Sequence, residues 1–206
     1  MMSMSATING ALRKIPAWPL YIIVAGYVVW EFWRALNQIG PYLIEPINVL
    51  ERAYGKAGLI LLVAGLMVTP LRNWTGVNLI KFRRAIGVTA FFVILAHFLV
   101  FAVLDVQSAS RVWTEIVERP YVTAGMVGFL LLVPLVLTSN NLALRKMGTA
   151  AWRRLHKLSY VAVILGALHY LWLSRGFQVE PLVYLLLSIG LVALRYRQIV
   201  WRKQPA

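Results

Sequence analysis

The chain has 206 residues, 60% of them apolar, a mean hydropathy of +0.72 and only 14% charged side chains, a balance that excludes an ordinary soluble domain and places most of it in lipid. It contains no cysteine, which excludes disulfides, thiolate-held iron–sulfur clusters, the usual structural zinc sites and the covalent attachment of c-type heme. The net charge of +14 does not mark a nucleic-acid partner, because the basic residues stand in short clusters between apolar runs, as membrane topology requires.

A bilayer's hydrocarbon core is about 30 Å thick, so a spanning helix needs roughly 20 mainly apolar residues. Segments 17–36, 54–71, 85–104, 121–138, 155–173 and 181–201 meet that length. The first follows Arg13 and Lys14 as a secretory signal would, yet it is long, carries Glu31 and lacks a small-x-small cleavage site, so a retained membrane helix is expected. Glu31 itself reads as a snorkelling interface residue beside Trp30 and Trp33.

Lys and Arg stay on the cytoplasmic side, so the connections carrying Arg72, Lys81, Arg83 and Arg84, and Arg145, Lys146, Arg153 and Arg154, are predicted inside. The alternate connections hold Glu45, Glu51 and Arg52, then Asp105, Arg111, Glu115, Glu118 and Arg119, then Arg175 and Glu180. They have no basic excess and are predicted outside. Arg13 and Lys14 at one end, with Arg195, Arg197, Arg202 and Lys203 at the other, place both termini in the cytoplasm, as six crossings require. The expected fold is an all-α membrane protein, one six-helix bundle over residues 1–206. No Gly-rich nucleotide loop or separate soluble domain is seen in it.

The three histidines, His97, His156 and His169, all fall in or at the edge of predicted spans, where an ionisable side chain faces the bundle interior and usually has a function. Counted from Ala85, His97 lies about 18 Å along its helix. Counted from Arg154, His169 lies about 22 Å along its own, at about 1.5 Å per residue. Both meet in the outer half, with His156 about 20 Å away near the cytoplasmic face. Two imidazoles at one depth on separate helices suit the axial positions of a heme iron. Zinc is a weaker alternative for want of further ligands, and a proton relay, a small transporter or a bare membrane anchor are the competing classes. One point does not close: His156 and His169 stand roughly 140° apart around an ideal helix, which requires sites on two sides of the fifth helix or a bend near Gly166.

The stretches KFRRAIGVTAFFVILAHF, ERPYVTAGMVG, LTSNNLALRKMGTAAWRRLHKLSYVAVILGALHYLW and ALRY resemble the MsrQ family, heme-binding subunits of the periplasmic protein-methionine-sulfoxide reductase system. That family lies within the wider ferric-reductase-like and NADPH-oxidase-like membrane domains. The resemblance implies an inner-membrane electron carrier with heme b and FMN. It would take electrons from the quinone pool or a cytoplasmic flavin reductase and pass them to a periplasmic molybdopterin-containing subunit, on which methionine sulfoxide is reduced. By position, His97 and His169 resemble the axial pair of the outer heme, and His156 a ligand at an inner site. The wider family carries a further histidine where this chain has Arg83, which leaves the inner site absent, five-coordinate or completed by another group. Arg83 and Arg84 read either as topology anchors or as partners of heme propionates, flavin phosphate or an anionic donor surface.

Overall fold

The computed structural model describes residues 4–174 and 178–201, with side chains as far as Arg195. Arg175, Arg202 and Lys203, counted above among the loop charges, lie outside the described residues, as does the Arg197 side chain. The described chain forms nine α-helices and no strand: α1 (Met4–Lys14), α2 (Pro19–Leu36), α3 (Pro46–Thr75), α4 (Arg83–Leu99), α5 (Ala109–Glu118), α6 (Pro120–Leu137), α7 (Asn141–Leu155), α8 (Leu158–Leu173) and α9 (Val179–Trp201).

Three of these are by themselves long and apolar enough to cross a membrane: α3, α4 with its continuation to Asp105, and α6. Helices α1 and α2 pass the same test only as a pair, bent by 76°. The bend falls where Pro16 and Pro19 deny the backbone two donors. Asn9 holds α1 to the turn after α3, its side chain donating to the Gly76 carbonyl at 2.9 Å and accepting from the Asn78 amide at 2.8 Å. Lys81 caps the end of α1 through the Arg13 and Ile15 carbonyls at 2.9 and 2.6 Å.

The structure departs from the sequence expectation in three places, each with a physical reason. Helix α3 runs beyond 54–71 at both ends, because Glu51 and Arg52 before that span and Arg72 and Asn73 after it lower the local hydropathy while remaining helical. At about 1.5 Å per residue it is about 45 Å long, more than the hydrocarbon core needs. Helices α1, α5 and α7 lie in stretches too short and polar to register as spans; α5 turns Trp113 and Val117 outward, 68% and 61% exposed. The fifth predicted span, 155–173, begins only at Leu158. The α-helical bonding gives way to a tighter turn at His156 and Lys157, so His156 caps the end of α7 and α8 begins after it. The angular conflict between His156 and His169 disappears with that turn, and α8 runs unbroken through Gly166.

Lipid tails are as apolar as leucine, so helices associate through close packing and polar contacts. The tightest partners are α3 with α4 and α6 with α8. In each pair two glycines three residues apart admit the neighbour. A Cβ at Gly58 would stand 2.5 Å from Ile94 Cγ1, and one at Gly128 would stand 3.4 Å from the Ala162 carbonyl and from Leu165 Cβ. Helix α2 is tied to α3 by the Tyr54 hydroxyl, which donates to the Val28 carbonyl at 2.6 Å. Glu31 is not left to reach for water. It accepts from the Tyr42 hydroxyl at 2.6 Å and pairs with Arg34 at 3.1 Å.

Gly58→Ala is expected to destabilise the protein by about 1–3 kcal/mol through overpacking against Ile94. Ile94→Ala in the same chain should recover part of that loss. Thermal unfolding in detergent checks both, and additive losses would contradict the contact.

Candidate functional site

Helices α4 and α8 bring His97 and His169 together, with ring centroids 6.2 Å apart and ring planes at 71°. Each imidazole is fixed in the same way. His97 Nδ1 lies 2.9 Å from the Glu51 carbonyl of α3, and His169 Nδ1 lies 2.7 Å from the Tyr121 carbonyl of α6. A carbonyl oxygen only accepts, so both Nδ1 atoms carry the hydrogen, and in the neutral rings both Nε2 atoms keep a free lone pair. This is the arrangement by which metal-ligating histidines are oriented.

Glycine makes room for each ring. A Cβ at Gly55 would come within 3.2 Å of His97 Nδ1, and one at Gly125 within 2.9 Å of His169 Nδ1. In both cases the glycine stands four residues after the accepting carbonyl, on the same face of its helix. Each imidazole therefore lies over one glycine and bonds to the turn before it.

The two rings face a cavity of about 1330 Å³, larger than the roughly 300–1,000 Å³ of ordinary ligand pockets. Its apolar wall includes Phe98, Phe101 and Phe129, with the Phe98 and Phe129 rings stacked at 5.4 Å. Its mouth is charged, lined by Glu51, Arg52, Asp105, Arg111, Glu115 and Arg119. Directly after His97 the helix widens into a π-turn over Val100–Asp105, a distortion that often marks functional sites and here carries Phe101 and Asp105 into the cavity wall.

Two metal–imidazole bonds of about 2.0 Å each, with about 1.1 Å from each nitrogen to its ring centre, separate two axial rings by about 6.2 Å. The observed separation equals that value. Among the described residues no three His, Cys, Asp or Glu side chains converge, so the zinc alternative has no further ligands. The donor set, the tethered tautomers and the large apolar cavity fit a planar metal macrocycle held from both faces.

His156 is not brought to this cavity. Its ring stacks on Trp152 at 3.7 Å, its Nδ1 lies 3.0 Å from the Trp152 carbonyl, and its Nε2 lies 3.5 Å from the Ser139 hydroxyl. Arg83 and Arg84 stand near it at the opposite, basic end of the bundle, with Arg84 donating to the Asn141 side chain at 2.8 Å. Met147, a conceivable soft ligand, is 37% exposed beside the break at Gly148. Tyr170 and Trp172 both line the cavity, Tyr170 packing on Tyr184 and Trp172 remaining 53% exposed. The sequence alone did not single out Gly55 or Gly125 as seats for the histidines. The four-residue spacings Glu51–Gly55 and Tyr121–Gly125 were readable, but nothing in the sequence pairs them with particular histidines.

Residues 54–167 match the family described as ferric reductase like transmembrane component. Over 98% of its length the chain is 38% identical to the protein-methionine-sulfoxide reductase heme-binding subunits MsrQ of Brucella ovis, Brucella canis and Brucella abortus, covering 94% of each of them. The chain belongs to the MsrQ family. His169 lies just beyond the stretch matched by the broader family, yet within the span shared with the MsrQ relatives.

Nitrogen-15 NMR of histidine-labelled, cofactor-free protein should show His97 and His169 as Nδ1–H neutral tautomers. Gly125→Ala should disturb the His169 resonances and leave those of His97 in place. A Nε2–H tautomer at either residue would contradict the carbonyl tethers.

Proposed function

We propose that this chain binds b-type heme between His97 and His169 and carries electrons across the bacterial inner membrane. The observation that supports this best is the pair of Nδ1-tethered imidazoles, set at bis-axial separation across an apolar cavity. When bound, heme supplies a one-electron redox couple. Its four-helix seat would be α3, α4, α6 and α8: His97 and His169 would hold it, Glu51 and Tyr121 orient those rings through their carbonyls, and the phenylalanine wall would exclude water.

The direction we assign runs from the basic end to the acidic end. Electrons enter at the cytoplasmic face marked by His156, Arg83 and Arg84, from the quinone pool or a flavin reductase, and FMN held there would supply an inner redox couple. Arg83 to His97 spans about 20 Å of α4, so a carrier at the basic end shortens the electron's path to the ligated pair. Electrons leave by the charged cavity mouth to a periplasmic molybdopterin-containing subunit. There, two electrons and two protons convert a methionine sulfoxide to methionine and water. The topology we assign has six crossings, by α2, α3, α4, α6, α8 and α9, with both termini cytoplasmic. The basic clusters on one side support it.

The purified protein should show a b-type spectrum, with heme extractable by acid acetone because no cysteine tethers it. His97→Ala and His169→Ala should each lower heme affinity by on the order of tenfold or more and abolish the low-spin electron paramagnetic resonance signal. His156→Ala should keep that signal, and Arg83→His should add a second low-spin species. Retention of the wild-type signal in both His97→Ala and His169→Ala, with its loss in His156→Ala, would reverse the assignment.

Topology is checked separately, since the chain has no native thiol. A single cysteine at Thr149 should be labelled from the cytoplasmic side and one at Ser110 from the periplasmic side; the opposite pattern overturns the direction proposed.

A further inference from the structure

Helix α9 carries Arg195, from the ALRY stretch, into the bundle against α3 and α8, where it is only 8% exposed. Its Nη2 donates to the Leu66 carbonyl at 3.1 Å and its Nη1 to the Tyr160 hydroxyl at 3.4 Å, while its Nε is buried with no partner among the described residues. The guanidinium lies 5.9 Å from the centre of the Tyr160 ring. Arg83, half-buried in the first turn of α4, lies near Tyr160 and Arg195, so two guanidiniums of like charge share this end of the bundle.

A guanidinium does not shed its proton, and a buried charge without a counter-charge is strongly unfavourable. No acid of this chain supplies one. The chain has seven Asp and Glu residues, and all stand at the other end of the bundle. Glu45, Glu51, Asp105 and Glu115 line the cavity mouth, Glu31 is engaged by Tyr42 and Arg34, Glu180 pairs with Lys56, and Glu118 ends α5. Membrane orientation does not explain the burial either. Arg72, Lys81, Arg84, Arg145, Arg153 and Arg154 mark the same end and are all exposed, as residues that only set topology need to be.

We propose that Arg83 and Arg195, with the Tyr160 hydroxyl between them, form a binding site for a phosphate monoester at the basic end of the bundle. Two guanidiniums offer forked donors, including the unpartnered Arg195 Nε, and a monoester carries close to two negative charges near neutral pH. One such group balances both arginines, whereas a phosphodiester balances one. The phosphate can belong to a nucleotide cofactor such as FMN, to phosphatidic acid or to free inorganic phosphate. The site stands on the arginine geometry alone and does not require heme at His97 and His169.

Thermal unfolding of the intact protein, delipidated in neutral detergent, tests this with FMN, riboflavin, phosphatidic acid, phosphatidylglycerol and inorganic phosphate as probes. Stabilisation by FMN and not riboflavin supports a nucleotide source; stabilisation by phosphatidic acid over phosphatidylglycerol supports a lipid source; response to inorganic phosphate alone supports the free ion. Arg195→Gln and Arg83→Gln should weaken the response by on the order of tenfold. Tyr160→Phe should weaken it by less, and Arg72→Gln not at all. Because Arg195→Gln removes an uncompensated buried charge, it should not lower the unfolding temperature of the ligand-free protein, as loss of a purely structural residue would. If Arg195→Gln does not fold, Tyr160→Phe and Arg83→Gln carry the comparison. The proposal is overturned if no monoester or phosphate stabilises the wild type, if riboflavin equals FMN, or if the arginine variants respond as the wild type does. Heme content, measured in parallel, reports separately on His97 and His169.

Discussion

An imidazole offers a lone pair at Nε2 only while something else holds the hydrogen at Nδ1, and inside a bilayer no water is available to do so. The acceptor has to be a backbone carbonyl, and backbone carbonyls of a helix are reachable only where the helix has no side chain in the way. His97 over Gly55 and His169 over Gly125 satisfy this requirement twice, with the Glu51 and Tyr121 carbonyls as acceptors. Much of the architecture follows from it. Helices α3 and α4 must pack closely enough for His97 to cross between them, α6 and α8 must do the same for His169, and Gly58 and Gly128 permit that approach one turn further on. The large cavity is what remains between the two tight pairs.

Charge is divided as sharply as the helices are paired. The acids surround the cavity mouth and the residues beside it, where Lys56 meets Glu180 and Arg119 meets Glu115 at 2.8 Å. The opposite end has basic side chains and no acidic side chain to balance them. Orientation in the membrane accounts for the exposed members of that set. Arg195, enclosed by α3, α8 and α9, belongs to a different problem, because a helix interior gives a cation nowhere to snorkel.

The apolar runs were legible because a helix in lipid must be apolar over a length set by the bilayer, so α2, α4 and α6 lie close to their expected positions. The rest depends on rules hydropathy does not carry. Helix α3 keeps its hydrogen bonds through Glu51 and Arg52, which look like loop residues to an apolar window. The turn at His156 and Lys157 falls inside a stretch whose composition reads as continuous helix, so His156 was assigned to the wrong element. For the site, the matched depth of His97 and His169 was readable from helical rise, and the structure brings those two rings together. The glycines beneath them and the buried state of Arg195 were not readable, because both are properties of a neighbouring helix whose register no single sequence specifies.

The carbonyl tethers also bear on how fast an electron could move through the proposed site. Electron transfer is slowed by whatever nuclei must shift when the charge on the metal changes. A ring that swings freely, or a ligand shell open to water, makes that rearrangement large. Each imidazole here is pinned at Nδ1, pressed onto a glycine surface and walled by phenylalanine, so its position is set by two helices and does not depend on the charge of what it binds. Under the function proposed above, ligands held this way would give a low reorganisation energy, the property that separates a centre built to pass electrons onward from one built to keep them for chemistry.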